Sequence, residues 1–317
     1  MQFNTYDNLD ILWMDTVGFL LDKGSHTTSR DGDTKETLGY VVQLNNPRAN
    51  FLFNPRRKLK PHYAAGEFLW YYTGREDLDM IASYAPSYKR FSDDGETLNG
   101  AYGPRIRNSM TLALLMLRIT PDTRQSVIDI HNEEDTLTAS GKLSKDIPCT
   151  LSLQFLIRDG KLNLIVTMRS NDAWTGLPYD VFCFTSFQIL MAESLGVEVG
   201  WYQHQAGSMH LYERHWASAN AAVRVRNYPT GPFEFEKHRD DPFNCDFIGY
   251  IKSTEEFLRT VLKGGSNVDV DEMPRNSMLG QYLIWSCLHR EWVLGAWRHI
   301  DDPQMRKLCK ELYNVDS

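Results

Sequence analysis

"IPCTLSLQFLIRDGKLNLIVTMRSND", residues 147–172, decides how the rest of the chain is read. Two alternating runs flank Asp159-Gly160, a dipeptide suited to a tight two-residue turn, so the stretch reads as a β-hairpin. In its first strand Ile147, Cys149, Leu151, Leu153 and Phe155 are expected on one face, with Thr150, Ser152 and Gln154 on the other. A cysteine on an apolar face is ordinarily a small core residue. This one follows Pro148, whose fixed φ would hold the thiol at a defined position.

Outward from the hairpin, residues 8–22 carry helical spacing in Leu9, Ile11, Leu12, Val17, Leu20 and Leu21. A polar loop is expected over 23–39 and a strand over "YVVQLNN", 40–46. "HYAAGEFLWYYTG", 62–74, reads as an apolar helix ended by Gly74, with Glu67 its single acid. Turn residues make 92–107 a loop, and "SMTLALLMLRIT", 109–120, a helix stopped by Pro121. "RQSVIDIH", 124–131, is a strand, 179–196 a long buried helix closed by Gly196, and 198–212 a further strand. Beyond His215 a proline-broken loop leads to helices over 254–265 and 281–297. The fold class is α+β: one domain over 1–317 with a helical C-terminal elaboration.

The 317 residues can bury a large core, and 42% hydrophobic with 24% charged content is ordinary for a soluble protein. A net charge of −7 argues against nucleic acid or an acidic membrane as partner, yet leaves room for a small anion held by local arginines. Five scattered cysteines show no ligand spacing, so neither a disulfide framework nor a metal site is expected. The N-terminus lacks a basic leader and no apolar run approaches a membrane span, which places the chain in the cytoplasm.

Several scattered residues call for a shared explanation. Burial of Glu67 on its apolar helix would raise its pKa toward a useful acid–base range. Arg30, Arg124 and Arg169 stand beside turn residues and near Ser or Thr, a setting that suits a phosphate. Taken singly, each has a plain structural role open to it: a helix-surface acid, or a solvated arginine. His210 and Tyr212 alternate on one strand face, where they could grip a sugar hydroxyl.

These residues occur in order with "GEFLWYYTG", "GAYGPR", "PDTRQ", "MRSND", "GLPYD" and "HLY", and together they resemble the thymidylate synthase and deoxycytidylate hydroxymethylase superfamily over about residues 8–215. The region of about 216–317 is divergent. The resemblance implies a six-stranded mixed sheet with flanking helices, in a homodimer packed sheet against sheet. Cys149 matches the nucleophile that adds to C6 of a pyrimidine, and Glu67 the general acid–base. Arg30, Arg169 and Ser170 match phosphate ligands, and Arg124 matches an arginine donated to the partner subunit's site. His210 and Tyr212 match ligands of the ribose 3′-hydroxyl, and Tyr102 a tyrosine near the nucleophile. Asp172 matches the aspartate that meets the folate pterin, and Tyr88 and Arg57 fall on the same cofactor side. The co-substrate would be 5,10-methylenetetrahydrofolate, the substrate a pyrimidine nucleoside monophosphate, and no metal is required. If the chain is phage-encoded, its compartment would be the host cytoplasm.

The chemistry explains the residue types. Thiolate addition at C6 makes C5 nucleophilic toward a one-carbon unit, and a nearby arginine such as Arg169 would favour the thiolate. Departures from the family pattern then select the reaction. Asp180 stands where thymidylate synthases carry asparagine; its carboxylate accepts from a cytosine amino group, whereas an Asn amide complements uracil. Read without the family, Asp180 would be a helix N-cap. Thr150 replaces a histidine, and Gln125 replaces a second phosphate arginine. A polar end, "ELYNVDS", replaces an apolar closing tail, and a site open to water would favour water over hydride. The expected activity is 5-hydroxymethylation of a cytidine monophosphate, dCMP ahead of CMP. The alternatives are reductive C5 methylation, which releases dihydrofolate, and a non-catalytic nucleotide- or RNA-binding relative.

Overall fold

In the computed structural model Asp159-Gly160 joins two paired strands, and both residues have positive φ, 51° and 71°. Glycine adopts that backbone without penalty and aspartate tolerates it, which is why this dipeptide closes a tight hairpin. The structure describes residues 4–29, 31–141, 143–226, 228, 230–238, 240–263, 277–287 and 300–313.

The strands are β1 (Asn4–Tyr6), β2 (Ser25–Ser29), β3 (Gly32–Leu44), β4 (Val127–Asp129), β5 (Thr150–Arg158), β6 (Lys161–Asp172) and β7 (Glu198–Tyr212). The helices are α1 (Leu9–Lys23), α2 (Pro61–Tyr72), α3 (Leu78–Tyr84), α4 (Tyr102–Ile119), α5 (Glu133–Gly141), α6 (Leu177–Leu195), α7 (Glu213–Ala222), α8 (Cys245–Lys263), α9 (Met278–Cys287) and α10 (Pro303–Tyr313). Six strands run in the order β1-β3-β7-β6-β5-β4, and β2 adds a seventh beside β3. The sheet is mixed: β1–β3 and β6–β7 are parallel, and the other pairs are antiparallel.

Three local expectations change. Residues 23–39, read as a loop, supply β2 and the first half of β3, paired from Ser25↔Glu36 to Ser29↔Gly32. Every residue of β2 is at least partly exposed, so no hydrophobic alternation marks it. The turn-rich stretch 92–107 gives way to helix at Tyr102, with Pro104 in the first turn, where a missing N–H costs nothing. In β5 the register shifts between Thr150 and Ser152 against β6. The extra residue flips the alternation, so Thr150, at 0% exposure, shares the buried side with Leu153 and Phe155. Cys149 therefore leaves the apolar face expected of it and is half-buried.

The chain packs as two compact units. The first comprises Met1–Leu59, Leu112–Glu133 and Pro148–Pro232 and contains the sheet with α1, α6 and α7. Leu164 and Val166 of β6, Phe182, Phe184 and Phe187 of α6 and Trp13 of α1 are all buried in its core. The second comprises Lys60–Thr111, Glu134–Ile147 and Phe233–Ser317; there Phe68 of α2 meets Tyr282 of α9 edge-on at 5.3 Å. Residues 264–265 and 288–297, expected to continue helices, lie outside the described residues, as do 298–299 and 314–317. No helix among the described residues is long and apolar enough to cross a membrane.

Asp10 of α1 is 1% exposed and accepts from the Phe53 N–H at 3.0 and 3.1 Å. Burial pushes its carboxyl from 3.8 up to about 7, against the opposing pull of that N–H. A carboxyl raised in the folded state keeps a proton the unfolded chain has lost, so its stability contribution falls as pH rises between those two values. Asp10→Asn is therefore expected to gain melting temperature relative to the wild type between about pH 5 and about pH 8. A constant difference across that range would contradict this assignment.

Candidate active site

In the first unit the bulge at the head of β5 is held by one residue of β6. The Arg169 backbone N–H donates to the Cys149 carbonyl at 2.8 Å, and the Arg169 Nε donates to the Pro148 carbonyl at 2.8 Å. Both carbonyls flanking the Pro148–Cys149 link are thus fixed, and a guanidinium stands one residue from the thiol.

The parallel register of β6 and β7 sets Ser170 beside Ser208 and Asp172 beside His210. Ser170 Oγ lies 3.5 Å from His210 Nδ1, and the His210 and Tyr212 rings meet edge-on at 5.1 Å. Burial holds the His210 imidazole below its ordinary range, so it stays neutral near pH 7. Arg214 lies 3.9 Å over the Tyr212 ring and donates to the Asp31 carbonyl at 3.1 Å. Arg30, the neighbour of Asp31, lies outside the described residues. Arg124 is exposed, in the segment that leads into β4; its carbonyl accepts from Gln154 Nε2 at 2.9 Å.

Asp172 caps the turn that follows β6, accepting from Trp174 N at 2.8 Å, from Thr175 N at 3.3 Å and, on Oδ2, from the Thr175 hydroxyl. Arg57 donates to the Trp174 carbonyl at 2.9 Å and lies 5.3 Å over the Trp174 ring, which stacks on His215 at 5.5 Å. A carboxylate has about four acceptor positions, so Asp172 retains capacity for a further donor. Asp180 sits in the first turn of α6, whose N-cap is Gly176, not Asp180. Its Oδ2 accepts instead from Asn171 Nδ2 at 2.6 Å.

In the second unit Glu67 is 5% exposed on α2. Three phenols converge on its Oε1: Tyr63 at 2.6 Å, Tyr88 at 2.6 Å and Tyr71 at 3.4 Å. The Tyr63 and Tyr88 hydroxyls are 3.1 Å apart. Burial, then the Glu67 charge, raises both phenols well above their ordinary range, which keeps them protonated as donors. Tyr102 stacks on Tyr71 at 5.1 Å. Among the described residues no group of His, Cys, Asp or Glu is placed to hold a metal ion.

Sequence reasoning named Glu67 and Tyr88 but missed Tyr63 and Tyr71, which stand four residues either side of Glu67 and so share its helix face. Asn171, Trp174, Arg214 and His215 were missed as well. Hydrogen bonds to a charged group are worth about 1.5–3 kcal/mol. Tyr63→Phe and Tyr88→Phe are each expected to lose about that much in urea unfolding, and Tyr71→Phe, with its longer contact, distinctly less. Equal losses from all three would contradict the carboxylate-centred network.

The family model described as thymidylate synthase matches residues 12–249. The chain is 34% identical over 218 residues to a deoxyuridylate hydroxymethyltransferase of Bacillus phage SP01, covering 63% of this chain and 56% of that protein. It is 33% identical over 174 residues to a deoxyuridylate hydroxymethyltransferase of Pseudomonas phage M6, covering 53% and 49%. The chain thus spans about half the length of the curated relatives it matches. With a mixed sheet, flanking helices and a family match over three quarters of its length, this chain belongs to the thymidylate synthase family.

Proposed function

We propose that the protein transfers a one-carbon unit from 5,10-methylenetetrahydrofolate to C5 of a cytidine monophosphate, dCMP ahead of CMP, and that water completes the 5-hydroxymethyl product. The observation that carries the base assignment is Asp180, whose carboxylate takes a side-chain donor from Asn171 at the mouth of α6. Its carboxylate accepts from the cytosine amino group, and a shared proton bridges to N3, whereas an Asn amide would complement uracil.

In this reading Cys149 Sγ adds to C6 of the base, and C5 gains the electron density to form the new carbon–carbon bond. The folate supplies one carbon at the oxidation level of formaldehyde. Glu67 removes the C5 proton directly or through water, with Tyr63 and Tyr88 fixing its carboxylate. Tetrahydrofolate leaves as the C5 proton is lost, water adds to the exocyclic carbon so freed, and the Cys149–C6 bond breaks; no hydride is consumed. Arg30, Arg169 and Ser170 hold the phosphate, His210 and Tyr212 the ribose, and Asp172, Tyr88 and Arg57 the folate, with Tyr102 beside the nucleophile. The remaining acceptor capacity of Asp172 and the Trp174 ring beside Arg57 suit a flat heterocycle with N–H donors. The same reading includes a homodimer in which Arg124 reaches the partner subunit's phosphate site, and a cytoplasmic location.

The names of the two phage relatives favour a second reading, with deoxyuridylate as substrate. Mass spectrometry of products from dCMP, CMP and dUMP, each with the folate, separates the alternatives. The hydroxymethyl product gains one formaldehyde unit, reductive methylation adds one methylene, and a binding-only protein leaves every nucleotide unchanged. Cys149→Ser is expected to abolish turnover while nucleotide affinity stays within about tenfold, because the hydroxyl keeps the shape without the nucleophilicity. Normal turnover in that variant would remove the covalent mechanism. Asp180→Asn should lose kcat/KM on dCMP and gain it on dUMP, a combined swing of roughly tenfold to several hundredfold. An unchanged preference in a folded, active variant would overturn the cytosine assignment.

A further inference from the structure

We propose that Glu255 of α8 is a positioning residue for Glu67: by anchoring Tyr84 it seats the Tyr88 hydroxyl on the Glu67 carboxylate. This rests on the acid–base role proposed for Glu67. All the residues concerned lie in the second unit. The Tyr84 hydroxyl donates to Glu255 Oε1 at 2.7 Å, and both residues are buried. The Tyr84 ring lies directly on the α2 backbone at Gly66, the neighbour of Glu67. A Cβ at Gly66 would stand 2.5 Å from Tyr84 Cδ2 and 2.6 Å from Cγ, so only a glycine leaves room for the ring.

Tyr88 follows four residues later in the short 3-10 turn Pro86–Arg90, and its hydroxyl donates to Glu67 Oε1 at 2.6 Å. The chain between the two tyrosines is itself hydrogen-bonded. The Ala85 N–H donates to the Ile81 carbonyl at 2.8 Å, and the Tyr88 N–H to the Ala85 carbonyl at 3.0 Å. A displaced Tyr84 therefore displaces Tyr88 with little slack.

Helix α8 grips α3 at both ends. Arg259, one turn after Glu255, donates from Nε to Glu255 Oε1 at 3.2 Å and from Nη1 to Asp79 in the first turn of α3. Tyr84 is the last residue of α3. At the N-cap of α3, Arg75 donates to Asp77 at 2.5 and 3.0 Å, and its guanidinium lies 3.9 Å from Glu256 of α8. Glu255 Oε2 is buried with no hydrogen-bond partner among the described residues. Apolar side chains would join α8 to α3 without that cost, so the net contribution of the network is a defined arrangement rather than added stability. What it defines is the segment that delivers Tyr88. Glu255 and Arg259 lie beyond residue 249, where the family match ends, which gives the divergent C-terminal region a part in the chemistry.

The test measures kcat and nucleotide KM on the full chain, with whichever of dCMP, CMP and dUMP the wild type turns over, each variant checked by a thermal melt. Tyr84→Phe keeps the ring and removes the hydroxyl, and Glu255→Leu removes the acceptor. Each is expected to lower kcat roughly tenfold, a part of the roughly 10²–10⁴ that acid–base catalysis contributes, with KM within about twofold. Glu255→Gln, which keeps an acceptor oxygen for Tyr84, is expected to recover most of that loss. In a Tyr88→Phe background, Tyr84→Phe is expected to change kcat by less than about twofold, because its effect runs through Tyr88. A mere loss of folded protein would instead lower kcat by the same factor in both backgrounds. If Glu255→Leu does not fold, Tyr84→Phe decides alone. A folded Tyr84→Phe with wild-type kcat overturns the proposal, as does a loss that persists undiminished beside Tyr88→Phe. Glu67→Gln separates the two readings. A rate lost there beside an intact Tyr84→Phe removes this proposal and leaves the acid–base role standing. A rate unchanged in Glu67→Gln, or a wild type that turns over none of the nucleotides, removes the acid–base role and this proposal with it.

Discussion

The parallel register of β6 on β7 is the constraint on which the first unit's candidate site depends. It sets Ser170 against Ser208, Asn171 against Met209 and Asp172 against His210. Because strand side chains alternate with a period of two, a slip of one residue would carry one strand's pair, Ser170 with Asp172 or His210 with Tyr212, to the wrong face and away from the other. The register is held by what lies between the strands. Helix α6 spans Leu177–Leu195, packs its buried phenylalanines on the sheet, and reverses into β7 through Gly196 at φ 68°. A left-handed residue at that position costs glycine nothing, and it sets where β7 begins.

Polar contacts in the two units differ in weight, and burial decides between them. The Lys161–Glu198 pair is 3.4 Å long, yet more than half of each side chain is exposed, so its worth is about 1 kcal/mol or less. The Asn171–Asp180 contact and the phenols on Glu67 are part-buried and charge-assisted, where each bond is worth about 1.5–3 kcal/mol. The same is true of Arg105 on Asp135, a two-pronged contact with a carboxylate only 3% exposed. Such groups fix geometry more than they add stability, because a half-satisfied carboxylate in a dry setting tolerates few alternative arrangements.

Most of the sheet was legible in the sequence because its strands obey simple rules. The Asp159-Gly160 turn, the β5 and β6 runs, α6 with its closing glycine and β7 all carry their own local signals. What escaped did so for identifiable reasons. Strand β2 is polar on both faces and is stabilised by pairing with β3, so periodicity cannot find it. The bulge at Thr150 adds one residue to an otherwise regular alternation, and only the partner strand reveals it. For the site, Cys149, Glu67 and Asp180 were nameable through family motifs. Tyr63 and Tyr71 were findable from their helical spacing to Glu67. Asn171 was not, because its meaning lies in a contact nine residues further along the chain.

The order of strands also bears on how the molecule assembles. The β5–β6 hairpin closes over two residues, and β6–β7 closes over a single helix, so both can form as soon as their segments exist. The β3–β7 ladder instead joins Thr34 to Tyr212 and Leu44 to Tyr202. That closure must absorb the entropy of a long intervening chain, which makes it a slow, late event during synthesis. Until residue 212 has left the ribosome, β3 has no partner on its inner edge. On the outer edge β2 covers Gly32–Glu36 alone, so the inner edge of β3 waits unpaired until β7 arrives.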